Sequence, residues 1–112
     1  MTDWAYDFTC AHVLESLRHR LDRRGSWRWQ LRETTVYGAY LACLPAPRVR
    51  IRIHAYPFKG SYGNFTGLRR SGFKALLQVE LLQPERAEID RTFRELLNAI
   101  GATNVIAIEP YD

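Results

Sequence analysis

At 112 residues, with 46% hydrophobic and 25% charged side chains, the chain has the length and average composition of one globular domain. These values exclude a multi-domain machine and a disordered, collagen-like or disulfide-scaffold chain. The net charge of +4 is unevenly spread, because residues 18–74 set thirteen basic side chains against only Asp22 and Glu33 while both flanking segments are net acidic. The middle of the chain is therefore a basic block suited to anionic partners.

Cys10, Val13, Leu14, Leu17 and Leu21 recur at intervals of three and four, which predicts a helix from Phe8 to Arg24. Asp7 or Thr9 is placed to cap its start, Arg23 and Arg24 suit the negative end of its dipole, and Gly25 supplies a left-handed stop. Trp4 and Tyr6 precede it as a staple against the sheet. The period then changes to two: Trp27, Trp29 and Leu31 alternate with Arg28, Gln30 and Arg32, giving a strand with an apolar core face and a basic face. Tyr37 to Leu44 is apolar on both parities, as a centrally paired strand would be, and Pro45-Ala46-Pro47 ends it. Val49, Ile51, Ile53 and Ala55 alternate strictly with Arg48, Arg50, Arg52 and His54, the cleanest strand pattern in the chain. Residues 57–72, with glycines at 60, 63, 67 and 72, are too long and glycine-rich for a simple hairpin turn.

Phe73 to Leu82 reads as a fourth strand. Pro84 then opens a helix, with Ile89, Phe93, Leu96, Leu97 and Ile100 on one stripe and Gly101 as its stop. Asn104 to Ile108 is a short final strand. The expected fold is α+β: one globular domain over residues 1–112, of order α-β-β-β-β-α-β, with a single mainly antiparallel sheet of four to five strands and two helices packed on one face. The crossover through the second helix should set the last two strands parallel, adjacent or not.

If the apolar residues of the strands face the helices, the pleat sends Arg28, Arg32, Arg48, Arg50, Arg52 and His54 to the other face. A row of guanidiniums on a rigid surface gives an anion a preorganised site. In the 57–72 loop, Lys59, Tyr62, Phe65, Arg69 and Arg70 interleave charge with rings, a mixture that neutralises phosphates and stacks bases, and Tyr37 or Tyr40 could add a ring on the sheet. Alternating arginine also keeps a half-exposed strand soluble and resists edge pairing, with Glu33 or Glu80 as cross-strand partners. The excess of arginine over lysine suits phosphate and carboxylate recognition, and a GC-rich genome would produce it too.

No catalytic motif accompanies these features. The glycines of 57–72 lack the GxxxxGK[ST] pattern. His12, Glu15 and His19 share a helical stripe, but the two histidines stand about 10 Å apart along the axis, too far to share one zinc ion. Cys10 and Cys43 read as buried thiols, and Glu85, Glu88 and Asp90 as surface acids at a helix N-terminus. No metal or cofactor is expected. The N-terminus is no secretory signal and no apolar run spans a bilayer, so a cytoplasmic address without membrane partners is expected. The sequence favours a binding module for nucleic acid or another polyanion. A domain meeting an acidic partner protein is the second reading, and a small enzyme using His54 on an anionic metabolite the third. Homodimerisation is open in all three.

Overall fold

A computed structural model describes residues 2–55, 72–79 and 83–108. The expectations for Lys59, Tyr62, Phe65, Arg69 and Arg70 lie outside them. The described residues form β1 (Thr2–Thr9), α1 (Leu14–Arg24), β2 (Trp29–Thr34), β3 (Gly38–Cys43), β4 (Val49–Ala55), β5 (Phe73–Val79), α2 (Gln83–Ala99) and β6 (Thr103–Ile108). All six strands join one sheet in the order β2-β3-β4-β5-β1-β6, with every neighbouring pair antiparallel. The α+β class and single antiparallel sheet stand. The strand count is corrected from four or five to six.

The added strand is β1, in which Trp4, Tyr6 and Phe8 alternate with Ala5 and Asp7. It takes the place of the predicted start of the first helix. Phe8 and Cys10 fall at spacings that fit either period, but three aromatic rings at period two bury more apolar surface in the sheet than one helical turn would. Asp7 accordingly pairs with Lys74 of β5 instead of capping, and α1 starts one residue after an exposed Val13 with no side-chain cap. Trp4 and Tyr6 are strand residues, not a staple. Gly25 is also corrected: its φ of −146° is extended and not left-handed, and a Cβ there would stand 3.0 Å from the Leu96 Cδ2 methyl of α2. Gly101, at φ 79°, is the left-handed stop expected of it.

Both helices pack on one face. Leu17 and Leu21 of α1 and Phe93, Leu96, Leu97 and Ile100 of α2 share a core with Trp4, Tyr6, Phe8, Trp29, Leu41, Val49, Ile51, Ile53, Phe73, Ala75 and Leu77. Leu31 was expected in this core but is 41% exposed, since β2 is an edge strand of which only Trp29 is buried. The last two strands, β5 and β6, both run antiparallel to β1 and hence parallel to each other, with β1 between them. That is the relation the crossover predicted. Insertion of β1 between them ties that strand into the sheet interior, where its Trp4, Tyr6 and Phe8 join the shared core.

Candidate polyanion interface

The face opposite the helices is built around β4. Val49, Ile51 and Ile53 are buried against the helices, and the pleat therefore sends Arg50, Arg52 and His54 to the far side. Register fixes their neighbours: Arg50 lies beside Gln78, Arg52 between Ala42 and Leu76, and His54 between Tyr40 and Lys74. On β2, Arg32 stands opposite Tyr40. β4 is the third of six strands, so its arginines protect no sheet edge. Glu33 has the opposite parity to Arg32 and is no cross-strand partner for this face, and Glu80 lies outside the described residues.

Aromatic rings organise the surface between these arginines. After β2 the chain reverses through residues 35–37, where the Tyr37 amide donates to Thr34 Oγ1 at 3.0 Å and Gly38 takes a φ of 70°. The turn returns Tyr37 over the sheet, edge-on to Tyr40 at 5.7 Å and to His54 at 5.6 Å. Tyr40 and His54 stack at 5.1 Å. The Arg52 guanidinium lies 4.2 Å from the Tyr37 ring centroid, a cation–π contact that limits its rotamers. Arg32 donates twice to Gln30 Oε1, at 3.2 and 2.8 Å. Between them opens a cavity of about 420 Å³ lined by Arg32, Tyr37, Tyr40, Arg50, Arg52 and Gln78, with Ala42 keeping its floor low. None of its described lining residues is acidic.

Three of the six expected sheet-face residues, Arg32, Arg50 and Arg52, meet in this cavity; Arg28 lines an adjoining recess of about 450 Å³ with Arg32, and Arg48 and His54 do not join them as cations. Arg28 precedes β2 and donates to the carbonyls of Asp22, Gly25 and Trp27 at 3.2 to 3.4 Å, closing the C-terminal end of α1. Arg48 sits before β4 in a left-handed turn position, φ 66°, and is absent from the cavity wall. His54 is fully buried, and burial followed by the nearby Arg52 charge lowers its pKa to about 4. It is thus neutral near pH 7. The same face buries Lys74, whose Nζ lies 2.7 Å from Asp7 Oδ1, so that charge is matched by a carboxylate.

The alternative chemistries find little support among the described residues. Cys43 faces the helices while His54 faces away, so they form no thiol–imidazole pair, and burial, helped by Asp22, raises the Cys43 pKa to about 12. No described group of three or more His, Cys, Asp or Glu residues could hold a metal ion. His12 and His19 do line one open groove along α1, about 580 Å³, with Ser16, Arg20, Arg23 and Arg24. Asp90, expected at the surface, instead accepts from Trp4 Nε1 at 2.7 Å and from the Tyr6 hydroxyl, and it pairs with Arg94 at 3.0 Å. Burial and then the Asp90 bond raise the Tyr6 pKa to about 12 against the opposing pull of Arg94. This group fastens α2 to β1. Among the described residues no helix is long and apolar enough to cross a membrane.

Tyr37 was legible only as a candidate ring, whereas Gln78 carried no signal because its place beside Arg50 is set by the pairing of β4 with β5. No family model, curated protein or solved structure matches the chain.

Proposed function

We propose that the protein is a small non-enzymatic binding module that holds a polyanion, foremost nucleic acid, in the arginine cavity of the sheet face opposite the helices. The observation that carries this reading is the convergence of Arg32, Arg50 and Arg52 on one cavity whose described walls hold no carboxylate. Arg52 on the Tyr37 ring and Arg32 on Gln30 are already partly held, so they lose less freedom when an anion arrives, and planar guanidinium forks match phosphate oxygens. The test is fluorescence anisotropy of labelled oligonucleotides at about 50 and 200 mM salt, where phosphate-driven binding falls steeply between the two. Absence of binding at the lower salt defeats the proposal.

A second reading, an acidic partner protein, is favoured by the exposed apolar side chains Leu31, Val36 and Leu44 along β2, its turn and the end of β3. Apolar anchors beside arginines suit a protein interface. It predicts retention of one acidic protein that oligonucleotides do not displace. The enzyme reading rested on His54, and a fully buried imidazole with a pKa near 4 is poorly placed as an acid or base near neutral pH.

A further inference from the structure

We infer that the cavity takes single-stranded nucleic acid, receiving one splayed base on the Tyr37–Arg52 stack while Arg32 and Arg50 hold the adjoining phosphates. This rests on the polyanion reading and narrows it to a ligand class. Its first support is size. A space of about 420 Å³ lies within the roughly 300–1,000 Å³ of pockets that enclose small organic ligands. It matches one nucleotide unit better than the surface of a duplex.

The second support is shape. Duplex readers insert a helix or a two-stranded ribbon into a groove, but here both helices lie behind the sheet and the arginines line a recess between strands. A duplex could offer this recess only its backbone, because its bases stay stacked inside; a single strand can turn a base into it.

The third support is the platform. Tyr37 is held edge-on by two rings that are themselves stacked, and it carries Arg52 on its face. Guanidinium and phenol planes both accept a stacked base, and this pair is already assembled. Arg32, tied to Gln30, and Arg50, on the central strand, then flank it with positive charge.

The experiment is competition anisotropy on the wild-type protein, with a labelled single strand of about 12 nucleotides as the probe at about 50 mM salt. Competitors are the same sequence as a duplex, a nucleoside monophosphate, ribose phosphate and inorganic phosphate. The expected result is that the unlabelled single strand competes at least tenfold better than the duplex, and the nucleoside monophosphate better than ribose phosphate. Tyr37→Leu should weaken the single strand about tenfold, with Tyr37→Phe close to wild type, since the ring supplies the stacking. Equal competition by duplex and single strand, or by ribose phosphate and the nucleoside monophosphate, overturns this inference while leaving polyanion binding intact. A probe that fails to bind the wild type overturns both.

Discussion

The basic groove along α1 and the basic cavity on the sheet differ in how their arginines are held, and the larger is the less organised. The groove along α1 gathers Arg20, Arg23 and Arg24 with two histidines in about 580 Å³, yet Ser16, His19 and the three arginines are exposed, and aromatic residues are absent from its described walls. The sheet cavity is smaller, about 420 Å³, and its Arg32 and Arg50 are exposed too, but Arg52 rests on a ring and Arg32 on a glutamine. Long exposed side chains give up rotamer freedom when they close on a ligand, whereas side chains already held give up little. The held charge of Arg52 and Arg32 is therefore what favours the sheet cavity over the denser groove in the proposed reading.

The largest expected effect tests what supports the sheet side. His54 is neutral when folded because its pKa lies near 4, below the ordinary 6.5, with Arg52 and Lys74 as the charged groups beside it and Tyr37 and Tyr40 as its ring contacts. The unfolded chain therefore takes up the proton first as pH falls. Stability from this group is complete above about pH 6.5 and is lost as pH drops through about 4, by up to roughly 3 kcal/mol. His54→Phe retains the stacking and cannot titrate. Denaturant melts from pH 7 to 4 should show a flatter profile for the variant than for wild type, and identical slopes would mean that His54 is not held neutral.

Charge reversal compares the two concavities directly. Arg50→Glu removes one of the three cations that converge on the cavity and adds repulsion, so oligonucleotide affinity should fall about ten- to a hundredfold, the range of a charge-assisted hydrogen bond. Arg23→Glu on α1 makes the same change in net charge on an exposed helix. It should weaken binding only about twofold through the long-range field. Equal losses from the two variants would show that overall charge, not the cavity, governs affinity.

The seam between β1 and α2 separates stability from binding. Asp90 accepts from Trp4 and Tyr6, so Asp90→Ala leaves two part-buried donors without their acceptor and should lower unfolding free energy by about 1–3 kcal/mol. Oligonucleotide affinity of the folded variant should stay at the wild-type value, because none of these residues lines the sheet cavity. A chemical melt and an anisotropy titration on the same sample decide both points.

How far the fold could be read in advance depended on whether one period ruled a segment. In β4, Val49, Ile51, Ile53 and Ala55 alternate with Arg50, Arg52 and His54, and in α2 the apolar stripe has helical spacing, so both were legible. At the N-terminus two periods overlap: Phe8 and Cys10 satisfy a helical reading with Val13 and Leu14, which hid the alternation of Trp4, Tyr6 and Phe8. The arginine face followed from β4 alone. Its division into a charged cavity and a buried half did not, because His54 is covered by Tyr37 and flanked by Tyr40 and Lys74 only once β3, β4 and β5 are in register. Arg28 likewise shares the alternation but is drawn to the carbonyls ending α1, a demand of the helix that strand periodicity does not report.

The smallest effect isolates preorganisation from charge. Gln30 Oε1 accepts two bonds from Arg32 on an exposed edge strand, which fixes the direction of the guanidinium without altering its charge. Gln30→Ala should therefore weaken a single strand only about two- to threefold, the scale of restoring freedom to one long side chain. The dependence on salt should not change, since the number of phosphates neutralised is the same. Arg32→Gln, in contrast, removes one such contact and should reduce the slope of log affinity against log salt by about 0.7 for a single strand. Titrations at four or more salt concentrations resolve the two variants. A reduced slope for Gln30→Ala would mean that Arg32 reaches its phosphate only when Gln30 aims it, which would make the glutamine part of the contact itself.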